Sequence, residues 1–202
     1  MGQKAWQLGE PGTVAYRLYD GLRRRLNRRL VQYLVTEGLR GDGNVVLEAG
    51  SGPAFASSIL ARDPRVKLSV AVDIDLAALE EARRRDPALA LVAANLLRLP
   101  FRDGSVDLCW NSSTVEHLDN PQDAPLEMAR VTREDGRVFV GVPNLFGPLG
   151  FQRRIERTGV GIWIGRTFSL AELTNMMMVA GLKPRHRIFY FFRFFVGLLA
   201  EK

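Results

Sequence analysis

The chain has 202 residues, 47% of them apolar, and a formal net charge of +6. That length suits one α/β domain with small additions rather than two domains. The lone cysteine, Cys109, excludes an internal disulfide framework; no apolar run reaches membrane-spanning length and the polar start has no secretory leader, so the cytoplasm is the expected compartment.

The charge is unevenly spread. Residues 13–41 carry seven Arg against two acids, and residues 148–202 carry nine basic against three acidic groups. The stretch between them, 42–147, carries eleven basic against sixteen acidic groups. Basic ends around an acidic middle fit an anionic small molecule, an anionic membrane or nucleic acid.

Residues 1–12, with Gly2, Gly9, Pro11 and Gly12, read as a loose arm. From Val14 to about Thr36 the spacing of Tyr19, Leu22, Leu26, Leu30 and Tyr33 predicts an amphipathic helix. Gly21 is expected to divide it. Val45, Val46 and Leu47 form a short apolar run, the pattern of a strand buried on both faces. Glu48 ends it, and Ala49, Gly50, Ser51, Gly52, Pro53 and Ala54 follow, all small or turn-forming. Glycines here let a ligand approach the main chain. A helix is expected over Pro53 to Ala61, then a strand over Leu68 to Val72 that ends at Asp73. Asp73 lies twenty-one residues past Gly52, the spacing at which an acid grips ribose hydroxyls in nucleotide-binding α/β folds. A third glycine of the dinucleotide fingerprint is missing, and the absence of GK[ST] excludes a Walker A loop.

Asp75 caps a predicted helix from Leu76 to Arg85, and Leu89 to Ala93 reads as the third strand. Val106 to Trp110 is the fourth, with Asp107 inside it needing a partner. Asn120, Pro121 and Asp123 signal a helix to Val131, and Gly136 to Val142 the fifth strand. Residues 145–168 interleave Gly with Phe146, Phe151, Ile155, Ile162, Trp163 and Ile164, a lid with an apolar lining or a satellite core cluster. Ser169 and Glu172 form a capping box for a helix to Ala180, stopped by Gly181. Leu182 to Phe192 is the sixth strand, and Phe191 to Ala200 supplies the seventh.

Several of these stretches are shared with one family. The Glu48–Ala54 segment resembles motif I of the class I S-adenosylmethionine-dependent methyltransferases, with Ala54 where the last glycine usually stands. Leu99, Pro100 and Phe101 followed by Arg102, Asp103, Gly104, Ser105, Val106 and Asp107 resemble the LPFxDxSFD stretch of its small-molecule branch, the methyltransferase type 11 group related to ubiquinone and menaquinone biosynthesis enzymes. Pro143–Asn144 ends the fifth strand as that branch commonly does. The resemblance covers about half the chain. It implies a Rossmann-like α/β fold: a mostly parallel seven-stranded sheet, order 3-2-1-4-5-7-6, with the seventh strand antiparallel and helices on both faces. A single domain over 1–202 would divide into a helical cap (13–41), a cofactor core (42–144), a substrate lid (145–168) and a C-terminal part (169–202).

The resemblance also implies S-adenosyl-L-methionine as cofactor. Glu48, Gly50, Ser51 and Gly52 would shape its methionine side, Asp73 and Ile74 would meet the ribose, Asn95 and Leu96 the adenine, and Asn111 would border the pocket. Imidazole titrates near neutrality, so His117 is the first candidate for proton removal from an acceptor and Glu116 the second; holding the loop is the alternative role for His117. No metal is expected, since one Cys and two distant His form no ligand cluster. The expected acceptor is a small, largely apolar or lipid-like molecule rather than nucleic acid, methylated on O, N or C. Phe189 to Phe195 beside Arg187 and Arg193 suit a peripheral membrane contact or a homodimer interface. Competing readings are an NAD-dependent oxidoreductase, an RNA or protein methyltransferase, and a cofactor-binding module that stabilises a partner without turnover.

Overall fold

A computed structural model describes residues 14–148, 150 and 165–202. Seven strands form one sheet in the order β3-β2-β1-β4-β5-β7-β6. They are β1 (Asn44–Ala49), β2 (Val66–Asp73), β3 (Ala90–Ala93), β4 (Val106–Ser112), β5 (Thr132–Pro143), β6 (Lys183–Tyr190) and β7 (Phe195–Glu201). Neighbours from β3 to β5 pair in parallel, and β7 pairs antiparallel with both β5 and β6. The predicted order therefore holds, β7 included.

Successive residues of a strand face opposite sides, and the core divides accordingly. Leu47, Cys109, Val138, Val140 and Leu198 point to one side, where α4 (Asp123–Val131) and α5 (Leu170–Val179) cover them with Met128, Leu173, Met176 and Met177. Val46, Leu108, Trp110, Phe139 and Leu199 point to the other, covered by α1 (Val14–Tyr33) and α2 (Phe55–Leu60) through Leu30, Val31, Ala56 and Leu60. Helix α3 (Leu76–Arg85) buries Leu79 and Ala82, and Ala82 closes a smaller cluster with Ala54, Ala71 and Leu89. Its N-cap is Asp75, whose carboxylate accepts from the amides of Ala77 and Ala78, as its sequence predicts. The Ser169–Glu172 capping box starts α5 as expected.

Several details differ from expectation. Helix α1 runs unbroken through Gly21, because a single helical glycine costs only about 1 kcal/mol. The helix after the glycine turn starts at Phe55, not Pro53, because Ala54 is left-handed (φ +53°). Asn120 does not cap α4: its amide donates to the Asp123 carboxylate at 2.7 Å, and the helix starts at Asp123 without a side-chain cap. Asp107 finds two partners, the Val45 amide at 2.7 Å and Arg133 at 2.6 Å. Most of the aromatic tail is structural: Tyr190 is buried, and Phe191 and Phe195 are partly buried against it with ring centroids 4.8 and 5.5 Å away. The loose arm and most of the expected lid, residues 149 and 151–164, lie outside the described residues.

Candidate cofactor and catalytic site

The site forms where the sheet order reverses, at the carboxyl ends of β1 and β4. The chain leaves β1 through Gly50 (φ +77°), Gly52 (φ +51°) and Ala54 (φ +53°). Gly50 is required twice over. Its φ favours glycine, and a Cβ would stand 2.6 Å from the Thr114 side chain, which donates its hydroxyl to the Gly50 carbonyl at 2.9 Å. At Gly52 a Cβ would meet nothing within 4 Å, so the main chain there faces open space.

Asp73 anchors this turn. One carboxylate oxygen accepts from the Gly52 amide at 2.6 Å and the other from the Asp75 amide at 2.8 Å. A carboxylate has about four acceptor positions, so lone pairs remain for further donors. Ile74 follows and is 72% exposed. Glu48 is buried and accepts from both the amide and the hydroxyl of Ser57. It ties the end of β1 to α2, a scaffolding bond that the sequence does not reveal. Ser51 is buried, its amide bonded to the Val72 carbonyl at 2.9 Å.

Asn111 lies one strand over and is fully buried. Its amide donates to the Ala49 carbonyl, while its Oδ1 has no hydrogen-bond partner among the described residues. An orphaned buried acceptor is costly, and here it lies beside the glycine turn, suited to a cationic donor such as an ammonium. Asn95 is exposed, and its side chain accepts from the Leu97 amide at 2.9 Å, a local turn bond that leaves its amide nitrogen free of that contact. Leu96 is 7% exposed and belongs to the core cluster, so little of it is left to face a ring.

The two catalytic candidates sit on the 3₁₀ turn Val115–His117 after β4. Glu116 is buried, its Oε1 accepting from the Ser113 hydroxyl at 2.9 Å and its Oε2 without a hydrogen-bond partner among the described residues. Burial pushes its pKa up to about 8. His117 is partly buried with Nε2 4.0 Å from Glu116 Oε1, and burial lowers its pKa, favouring neutral imidazole. Residues 165–166 close against this pair: a Cβ on Gly165 would stand 2.7 Å from the His117 ring, and the Arg166 amide donates to the Glu116 carbonyl at 3.2 Å. The other histidine, His186, is on the surface 3.6 Å from Glu37.

Three groups beside these escaped the sequence reading. Thr114 braces Gly50 and Ser113 holds Glu116. Tyr190, arriving from β6, shares a hydrogen bond with Ser112 at 2.8 Å, and its hydroxyl occupies the space that a side chain at Gly141 would fill. Burial raises its pKa. The only trace of this in the sequence is the glycine itself, within an otherwise bulky strand. Among the described residues, no group of three His, Cys, Asp or Glu could hold a metal ion.

Residues 47–140 match the family described as a methyltransferase domain. A Mycobacterium tuberculosis (strain H37Rv) protein described as a probable S-adenosylmethionine-dependent methyltransferase is 34% identical over 138 residues, covering 67% of this chain and 47% of that protein. The chain spans about half the length of the curated relatives it matches. A Haloferax volcanii methyltransferase solved in complex with the Trm112 methyltransferase activator superposes with TM-score 0.73 at 16% identity, over 90% of this chain and 94% of that one. A geranyl diphosphate C-methyltransferase from Streptomyces coelicolor A3(2), solved with Mg2+, geranyl diphosphate and S-adenosyl-L-homocysteine, superposes with TM-score 0.70 at 17% identity, over 96% of this chain and 86% of that one. The fold and its switch-point site thus define a class I methyltransferase architecture. Residues 47–140 carry the methyltransferase-domain match, and relatives that share this part of the chain are described as probable S-adenosylmethionine-dependent methyltransferases.

Proposed function

We propose that the protein transfers a methyl group from S-adenosylmethionine to a small, largely apolar acceptor. The observation that carries this reading is the turn at Gly50–Gly52, held between Asp73 on one side and the orphaned Asn111 oxygen on the other. Asp73 would bind ribose hydroxyls with charge-assisted hydrogen bonds, and Asn111 Oδ1 would accept from the amino group of the methionine moiety. Gly52 leaves its main chain open to close approach. The cofactor, when bound, supplies a methyl already activated by its sulfonium, so the protein's main task is alignment.

An oxygen or acidic-carbon acceptor also has to lose a proton. Neutral His117 is suited to take it, and the largely protonated Glu116 beside it can keep a proton-donating bond in a dry site. The lowered His117 pKa keeps the base competent to somewhat below neutral pH. Support for an apolar acceptor is indirect: the apolar residues of 145–168, and the geranyl diphosphate bound by one structural neighbour. One neighbour is solved with an activator, so a partner-dependent module is the second reading. The reading also keeps the protein in the cytoplasm; among the described residues no helix is long and apolar enough to cross a membrane.

Calorimetry with S-adenosylmethionine and with NAD tests the cofactor. Asp73→Asn should weaken S-adenosylmethionine binding at least about tenfold, and binding of NAD alone would overturn the reading. Release of S-adenosylhomocysteine in an organic-soluble extract separates an enzyme from a silent module. A rate–pH profile should lose its acidic limb in His117→Asn; an unchanged limb removes His117 as base.

A further inference from the structure

The most exposed large apolar side chains among the described residues are not scattered. Phe146 (83% exposed), Ile74 (72%), Phe192 (70%) and Leu76 (63%) head that series. All four lie at the end of the sheet where the strands point toward the site, Ile74 and Leu76 beyond β2, and Phe146 and Phe192 together beyond β5 and β6. Ile74 and Leu76 follow the carboxyl end of β2, Phe146 follows that of β5, and Phe192 is in the turn between β6 and antiparallel β7. Scattered exposed apolar residues are ordinary, but a grouped set marks an interaction surface.

The turn that carries Phe192 is held in an unfavourable conformation. Phe191, Phe192 and Arg193 have φ of +49°, +55° and +65°, three successive left-handed residues without a glycine. Each is disfavoured for an L side chain. The loop after β5 locks the turn in place. Asn144 donates its main-chain amide to Phe194 O at 2.8 Å and its side-chain amide to Arg193 O at 3.1 Å, while its Oδ1 accepts from the Phe146 amide at 3.1 Å. One asparagine therefore joins the loops that present Phe146 and Phe192. Beside them are two arginines. Arg193 sits over the 39%-exposed Phe189 ring, 4.9 Å from its centroid, and Arg187 shares a face of β6 with Phe189. Two other basic groups of β6 have acid partners, Arg185 with Glu201 and His186 with Glu37; no salt bridge to Lys183, Arg187 or Arg193 is found among the described residues.

We propose that this end of the sheet seats on an anionic lipid surface, with Phe146 and Phe192 entering the acyl boundary and Arg187 and Arg193 meeting phosphate headgroups. Rigid aromatic tips flanked by uncompensated guanidinium groups match an interface that is apolar below and negative above. Tyr190 joins this turn directly to Ser112 at the site, so the seated protein would open its acceptor side toward the membrane and draw its acceptor from the lipid layer. That last consequence rests on the methyltransfer reading; the docking itself does not.

Flotation with vesicles of equal parts phosphatidylglycerol and phosphatidylcholine, against pure phosphatidylcholine, tests the proposal at low salt. The protein should float with the anionic vesicles only. Phe146→Ser with Phe192→Ser should lower partitioning at least about tenfold, and Arg187→Gln with Arg193→Gln should abolish the preference for anionic vesicles. Calorimetric binding of S-adenosylmethionine by each variant checks that the fold survives, and its failure in all forms would count against the cofactor reading without touching the docking result. No flotation of the unaltered protein, or equal flotation of all variants, overturns the proposal. A dimer in light scattering that dissociates in the Phe variants, without flotation, assigns this end to a second copy instead.

Discussion

Two turns at the same end of the sheet reverse the chain through left-handed backbone, and they do so with opposite materials. The turn after β1 places glycine at two of its three left-handed positions, Gly50 and Gly52, with Ala54 the exception. The turn between β6 and β7 uses Phe191, Phe192 and Arg193. On the proposed reading the first needs an uncluttered main chain for a ligand to approach, and glycine supplies that at little steric cost. On the docking proposal the second needs side chains at its tip, at a strain of roughly 1–2 kcal/mol per residue. Backbone conformation alone does not tell a binding turn from a presenting one; what projects from it does.

The sharpest way to break this contrast is at Gly50. Gly50→Ala puts a Cβ onto Thr114 at a φ of +77°, and should cost about 3 kcal/mol of stability together with most cofactor binding. Thermal unfolding and calorimetry would read both; intact binding would mean that the turn tolerates side chains after all.

Between the two turns lies Glu116, buried with a pKa near 8 against an ordinary 4.5. Below pH 4.5 the folded and unfolded forms both hold the proton. As pH rises from there to about 8 the unfolded chain releases it and the folded one does not, so stability falls by on the order of a few kcal/mol and then levels off. Glu116→Gln removes that slope. Its melting temperature should gain on the wild type between pH 5 and pH 8.5, whereas parallel curves would mean that the carboxyl is not held neutral.

A smaller effect sharpens the contrast from the other side. Phe192→Gly relieves one left-handed residue at an exposed site, offset in part by the flexibility of the unfolded glycine. The expected gain is about 0.5 kcal/mol in denaturant unfolding; a loss would show that Phe192 packs in a way its 70% exposure does not suggest. The smallest effect is at Ala54. Glycine there relieves φ +53° but removes a fully buried methyl, and the two terms, each about 1 kcal/mol, should nearly cancel. A change beyond about 1 kcal/mol in either direction would single out one term.

The sheet order was legible because each central strand is a short apolar run with a turn signal at its end, and the glycine turn with Asp73 marked which strands hold the candidate site. Residues whose roles depend on a distant neighbour were not legible. Glu48 reads as a cofactor ligand from its place in the motif, yet its visible bonds run to Ser57. Tyr190 reads as one aromatic in a basic, aromatic tail, but it meets Ser112 across 78 residues. Leu96, expected at a ring, also packs in the core, 7% exposed, a contact its sequence position does not show. Hydrophobic period reports which face a residue takes; it carries no information about the partner waiting there.

β7 is the last strand of the sheet in chain order yet lies inside it in space, between β5 and β6. On a ribosome the order of emergence therefore conflicts with the order of assembly. β5 is made early and keeps an open edge, and β6 has no place on the sheet, until residues 195–201 arrive to pair with both. A nascent chain in that interval exposes a strand edge of the kind that invites wrong pairing. Glu201 ends the interval: it meets Arg40, 161 positions earlier, as well as Arg137 and Arg185. One carboxylate thus fastens the late strand to the start of the domain, a latch that closes only when synthesis of the sheet is finished.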